Sequence, residues 1–167
     1  MTSIPGSDIQ VRQASLMHLD TIVDFNAAMA KETEGKELNM GMLRSGVEAV
    51  LTRNDLGFYL VADHSGRPVG QLLITYEWSD WRNAFFWWIQ SVYVSPDYRR
   101  RGVYKALHVY AAAEGRRHSN ICGLRLYVDK DNRIAQETYA SLRMRQTHYD
   151  MYEIEFDTGQ EEKDAAR

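Results

Sequence analysis

The stretch Ala84–Arg117, AFFWWIQSVYVSPDYRRRGVYKALHVYAAAEGRR, decides the fold. It opens on the aromatic and β-branched run Phe85-Phe86-Trp87-Trp88-Ile89, continues through Val92-Tyr93-Val94, and is closed by Ser95-Pro96-Asp97. A run of this composition and length predicts a strand buried on both faces. A basic loop follows, Arg99-Arg100-Arg101-Gly102, and after it Val103, Ala106, Leu107, Tyr110 and Ala111 recur at helical spacing. Strand, Gly-containing basic loop and helix together put unpaired backbone N–H groups and the positive end of a helix dipole at one point. That point suits an anion, most naturally a phosphate.

Working outward, Ile9–Arg12 alternates as a short strand, and Leu16, Leu19, Ile22, Val23 and Ala27 line one face of a first helix opening at Ala14 or Ser15. The charged segment Lys31–Glu37, with Gly35, ends that helix, and a second runs from about Met42 to Arg53. Gly57–Asp63 and Val69–Trp78 are strands joined by the turn His64–Pro68, an antiparallel hairpin that the central strand extends. Beyond the central helix, Leu124–Val128 reads as a strand parallel to the central one, since a strand–helix–strand crossover is the simplest link between parallel neighbours. Asp129–Asn132 caps a last helix carrying Ile134, Ala135, Thr138, Tyr139 and Leu142, and His148–Phe156 is expected to be the final strand. The expected order is β-α-α-β-β-β-α-β-α-β, an α/β (α+β) domain with a mixed, mostly antiparallel sheet flanked by helices. The domain is expected over residues 9–156, after a lead-in over 1–8 and before a polar tail over 157–167 that is expected to be disordered.

Composition narrows the function classes. With 167 residues, 44% hydrophobic and 26% charged, the chain has the size and make-up of one soluble domain with a proper core. A net charge of −3 argues against bulk electrostatic binding of nucleic acid or anionic membrane. The single cysteine, Cys122, excludes a multi-Cys zinc site and is expected as a small core residue. The first ten residues lack a basic region followed by an apolar one, and no apolar run reaches membrane-spanning length, so the expected location is the cytoplasm.

The run Val94-Ser95-Pro96-Asp97-Tyr98-Arg99-Arg100-Arg101-Gly102-Val103-Tyr104 resembles the acetyl-CoA loop of the GNAT-type N-acetyltransferase superfamily, V-x-P-x-Y-R-x-x-G-x-G/A. Arg99 and Gly102 hold the expected spacing, and Tyr104 stands where the family usually has Gly or Ala. Asn132-x-x-Ala135-x-x-x-Tyr139 resembles a second family pattern, N-x-x-A-x-x-x-Y, followed here by Arg143-Met144 in place of the usual Gly-Phe. The element order agrees from Ile9 to Phe156.

The resemblance implies acetyl-CoA as co-substrate without a metal. It implies as acceptor a primary amine of a small molecule or peptide, and homodimerisation is compatible with the family. It implies that Arg99 to Tyr104 bind the pyrophosphate through backbone N–H groups, with Arg100 and Arg101 adding charge-assisted contacts. Val92 and Val94 are implied as main-chain partners of the pantetheine arm, with the N–H of Val92 available to polarise the thioester carbonyl. Tyr139 is implied as the acid that protonates the leaving thiolate; it is equally an apolar-face helix residue beside Ala135 and Leu142. Asn132 either touches the cofactor or caps its helix.

Gln90 stands where many members carry a glutamate base, so the base is sought elsewhere: among Glu32, Glu34, Glu77, Asp80 and His148, the first choices are Glu34 and Glu77. Acidic loop residues with Trp78 and Trp81 between them offer a cationic amine charge and aromatic faces, or are simply solvated. Two other classes compete with the enzyme. One is an acyl-CoA binding or sensing module on the same fold; the other is an RNA-binding module using Arg99–Arg101 with Tyr98 and Tyr104, against which the net charge argues.

Overall fold

The computed structural model describes residues 8–156 together with the backbone of residues 2–3. The tail over 157–167 and most of the lead-in therefore lie outside the described residues. Contacts divide the chain into two compact units, Met1–Tyr127 and Val128–Arg167.

The first unit is a six-stranded sheet in sequential order, β1 (Thr2–Ser3), β2 (Ile9–Gln13), β3 (Phe58–His64), β4 (Arg67–Ser79), β5 (Ala84–Val94) and β6 (Ile121–Arg125). Every neighbouring pair is antiparallel except β5 and β6, which run parallel across the crossover helix. The short β1 falls within the expected lead-in and pairs with β2. β6 lies three residues earlier than predicted, because its pairing runs only from Phe85↔Ile121 to Trp88↔Arg125.

Helices α1 (Leu19–Glu34) and α2 (Met40–Thr52) bury Leu19, Ile22, Val23 and Val47 against Tyr59, Val61 and Leu73 on one face of the sheet. Helix α3 (Val103–Arg117) buries Val103, Ala106, Leu107 and Ala111 against Val11, Leu60, Leu72, Ile74, Trp87 and Ile89 on the other. The first turn before α1 is a 3-10 turn, Leu16–His18, so Leu16 is exposed rather than on the core face. Cys122, expected in the core, is exposed: it sits on the last strand of the sheet order, its thiol directed at the Phe85 carbonyl (3.2 Å). Among the described residues no helix is long and apolar enough to cross a membrane.

The second unit contains α4 (Arg133–Ser141). Asn132 caps it, accepting a hydrogen bond from the Ala135 N–H (3.1 Å). At its other end Arg143 takes φ 66, with its N–H bonded to Ala140 O (3.0 Å) and that of Met144 to Tyr139 O (3.1 Å). That pair of bonds is a Schellman closure, and Arg143 occupies the left-handed position for which glycine is usual. The usual Gly-Phe is thus replaced without losing the turn, at a cost of about 1 kcal/mol for a Cβ in this conformation. The expected strand His148–Phe156 does not form. Met151, Tyr152, Ile154 and Phe156 are all exposed, and an alternating segment without a paired neighbour has no ladder to complete.

Arg143→Gly is expected to raise the unfolding free energy by about 0.5–1 kcal/mol, read from the denaturant midpoint, by relieving the left-handed backbone; a loss of stability would show that the arginine side chain matters more than the strain.

His108 is buried on α3, and burial, with a smaller push from the Arg116 charge, lowers its pKa. The unfolded chain therefore binds a proton there that the folded chain resists. This contribution to stability is full above the ordinary histidine pKa of about 6.5 and is lost as pH falls below it. The midpoint of His108→Gln should depend less steeply on pH between about 7 and 5 than that of the wild type; parallel profiles would contradict the assignment.

Candidate active site

Strand β5 carries the feature that organises the site. Along β4, Gln71 and Leu73 are two residues apart, yet their partners on β5, Tyr93 and Gln90, are three apart. One residue of β4, Leu72, therefore faces Ser91 and Val92 together, which is a β-bulge. Ser91 takes φ 47, a left-handed conformation for a non-glycine residue. The extra residue reverses the alternation of the strand. Before it Trp87 and Ile89 point to the α3 face; after it Val92 and Val94 do so, while Tyr93 turns to the α1 face and stacks on Phe25 with centroids 5.0 Å apart. The bulge also lies past the last β5–β6 pair, Trp88↔Arg125. From Ile89 onward the edge of β5 away from β4 is not paired by β6, so among the described residues the main chain around Val92 and Val94 meets no strand there.

A buried polar network surrounds the bulge. Gln71 Nε2 donates to Asn26 Oδ1 (2.7 Å) and to the Ser91 carbonyl (3.4 Å), and Asn26 Nδ2 donates to the Tyr59 hydroxyl (3.2 Å). Asn26, Tyr59 and Gln71 are 5%, 3% and 0% exposed. Burial raises the Tyr59 pKa, opposed by its hydrogen bonds with Asn26 and Ser91.

The loop after β5 descends through a 3-10 turn, Pro96–Tyr98, into Arg99–Gly102. Arg100 (φ 60) and Gly102 (φ 82) are both left-handed, and the first intrahelical bond of α3 runs from Ala106 N–H to Gly102 O (2.9 Å). The amide groups of the first turn thus stand ahead of the helix ladder at its positive end, a concavity suited to phosphate oxygens. Gly70 lets the helix start close to the sheet: a Cβ there would lie 2.8 Å from Val103 Cγ1 and 3.0 Å from the Tyr93 carbonyl. Tyr104, the second residue of α3, lays its ring along the helix beside His108 (ring centroids 6.0 Å), so the first-turn backbone is left clear of its bulk.

Arg99 differs from its two neighbours. Its Nε donates to the Val94 carbonyl (2.9 Å), its guanidinium pairs with Glu32 of α1 (2.5 Å) and lies over the Tyr93 ring (5.8 Å). Arg99 therefore ties the loop to β5 and α1. Arg100 and Arg101 are exposed, Arg101 lying over Tyr98 (5.5 Å).

The two first-choice bases are placed apart from the bulge. Glu34, at the end of α1, pairs with Lys36 (2.8 Å) and is exposed. Glu77 accepts from the Trp88 indole and from Arg125 (2.5 Å). Burial pushes the Glu77 carboxyl up, but these hydrogen bonds and the Arg125 charge outweigh it and hold the pKa below the usual range. A carboxylate so held is a weak base. Gln90 donates to Thr75 (2.8 Å). Trp81 is almost fully exposed at the β4–β5 turn and Trp78 about half, whereas Trp87 is core. In the second unit, burial raises the Tyr139 phenol above its ordinary value, which keeps it protonated at neutral pH. Among the described residues no group of three or more His, Cys, Asp and Glu side chains comes together to hold a metal. An open cavity of about 350 Å³, lined by Phe58, Tyr76, Trp87, Tyr110 and Glu114, lies against the far part of α3; at 1.5 Å per residue, Glu114 is roughly 16 Å along the helix from Val103.

Sequence reasoning missed Asn26 and Gln71, because each sits within an otherwise apolar core face and neither motif includes it. The visible signal was a polar residue at the i+3 and i+4 positions from Val23 and Ile22.

The family model described as the acetyltransferase (GNAT) family matches residues 22–143. A comparison with curated proteins finds no match. Among solved structures, a possible acetyltransferase from Clostridium difficile 630 is 49% identical, with a TM-score of 0.83 over 89% of this chain and 97% of that one. A predicted acetyltransferase from Clostridium acetobutylicum, solved with acetyl-CoA, is 17% identical, with a TM-score of 0.71 over 87% and 96%. AAC(6')-Iy, solved in complex with the bisubstrate analog CoA-S-monomethyl-acetylneamine, is 17% identical, with a TM-score of 0.71 over 90% and 99%. These last two likenesses are of fold. The loop, the bulged strand and the family match converge: the chain belongs to the acetyltransferase (GNAT) family.

Proposed function

We propose that this chain is an N-acetyltransferase that moves the acetyl group of acetyl-CoA to a primary amine of a small molecule or peptide. The observation that carries the reading is the coincidence, on one strand and its following loop, of an unpaired main-chain edge beside a bulge and a left-handed loop opening a helix. The first suits an extended amide-bearing arm and the second a pyrophosphate. Acetyl-CoA supplies the acetyl group as an activated thioester.

The residues then divide the work. The backbone of Arg101, Gly102, Val103 and Tyr104 holds phosphate oxygens, and Arg100 and Arg101 add charge from the exposed side of the loop. Arg99 supports the loop from beneath through Glu32 and the Val94 carbonyl. Val92 and Val94 offer main-chain groups along the open edge, with the Val92 N–H donating to the carbonyl on which negative charge develops. Tyr139, by its place in the second motif, donates a proton to the leaving sulfur; its raised pKa keeps that proton available. Asn132 supports α4 as its cap. The amine attacks directly, its proton passing to water, since Glu77 is held by Arg125 and Glu34 by Lys36. Glu77 of β4 and Arg125 of β6 form an ion pair across β5.

The test is release of free CoA thiol from acetyl-CoA across a panel of primary amines, comparing wild type with Tyr139→Phe. Turnover with at least one amine is expected. The variant should lose about a hundredfold in kcat, with KM for acetyl-CoA little changed, the size typical of a lost general acid. Acetyl-CoA binding without turnover over the whole panel would replace the enzyme with a binding or sensing module. An unchanged kcat in the variant would remove Tyr139 from the chemistry.

A further inference from the structure

We propose that Gln71, a buried side chain of β4 outside both motifs, is a positioning residue that aims the Val92 N–H. The inference rests on the cofactor reading above and goes beyond it by naming what sets the geometry of the donor.

A left-handed serine in mid-strand is unfavourable on its own and persists only where its surroundings over-determine it. Here three side chains from three elements do so. Gln71 Nε2 has two hydrogens; one goes to Asn26 Oδ1 and the other to the Ser91 carbonyl. Tyr59, which accepts from Asn26, also hydrogen-bonds Ser91. The amide orientations are mutually fixed. Asn26 turns its nitrogen to Tyr59 and so its oxygen to Gln71, and both groups facing Gln71 Nε2 are then acceptors. Only the nitrogen of Gln71 satisfies them together.

Planarity carries this to the next residue. The Ser91–Val92 peptide is trans, so its C=O and N–H point in opposite directions. Holding the Ser91 carbonyl toward the Gln71 side chain, which also meets Asn26 of α1, turns the Val92 N–H to the opposite side, away from that network. Without that hold, the bulge remains but the Ser91–Val92 peptide loses the contact that fixes its orientation within it. The network therefore sets the direction of a backbone donor without touching any ligand. Gln71 is completely buried, and its Nε2 is engaged by two acceptors while its Oε1 has no hydrogen-bond partner among the described residues, so the side chain is held there by its nitrogen alone.

The experiment uses the full chain and acetyl-CoA labelled with ¹³C at the thioester carbonyl. Isotope-difference infrared spectroscopy reads how strongly that carbonyl is polarised when bound, and calorimetry reads affinity. For the wild type, a downshift of the bound carbonyl stretch relative to free acetyl-CoA is expected. In Gln71→Met, which keeps the length and removes both donors, the dissociation constant should change less than about threefold while the downshift is largely lost. With any amine that supports turnover, kcat should fall roughly tenfold or more, short of the roughly hundredfold or greater loss that follows outright removal of an oxyanion donor.

The same downshift in Gln71→Met and wild type would overturn the inference. Should Gln71→Met fail to fold, Tyr59→Phe, which removes only a hydroxyl, is expected to lose part of the downshift, and an unaltered stretch there would overturn it equally. Wild-type binding without any downshift would overturn the inference and leave the cofactor reading standing. Absence of wild-type binding would overturn the cofactor reading itself, and this inference with it.

Discussion

One extra residue in β5 is the constraint on which the rest depends. With Ser91 accommodated as a bulge, Trp87 and Ile89 before it and Val92 and Val94 after it all pack under α3, although their spacing should send the two pairs to opposite faces. The same step turns Tyr93 toward α1, where it meets Phe25 and, through Arg99, Glu32. A strand without the bulge would keep one of these sets buried and drive the other into the wrong layer, because side-chain alternation has a strict period of two. Packing on both faces therefore enforces the irregularity, and the buried amides of Asn26 and Gln71 complete it.

The loop that follows is anchored by related means. Arg99 reaches back to the Val94 carbonyl and across to Glu32, so the end of β5, the start of α3 and the end of α1 share one ion-paired group. Gly70 permits Val103 to sit close to the sheet, and Gly102 supplies the left-handed step into the helix. The exposed arginines, Arg100 and Arg101, are left to face outward. In this arrangement the three adjacent arginines are not equivalent: one braces the loop, and two remain available for an anion.

Much of this was legible in the chain. The aromatic run from Phe85 to Ile89 marked strand β5, which lies next to the end of the sheet order, the helical spacing from Val103 to Ala111 marked the crossover helix, and the two motifs pointed to the family. What escaped has physical reasons. A bulge is a mismatch between two strands, and no property of Gln90-Ser91-Val92 alone reveals it. Glu77 reads as a free acid until Arg125, 48 residues away, is brought against it. His148–Phe156 alternates like a strand, but alternation states only a preference, and pairing must be supplied by a neighbour. Arg143 reads as a departure from Gly and is nonetheless in the glycine conformation, because the Schellman hydrogen bonds hold it there.

The central claim is that the open edge of β5 and the first turn of α3 form one cofactor site. Amide hydrogen exchange of the full chain, with and without saturating acetyl-CoA, tests it most directly. Protection is expected to rise together at Val92–Val94 and at Arg101–Lys105, with little change in β2 and β3. Protection confined elsewhere, or no change at either segment while acetyl-CoA is bound, would contradict the account.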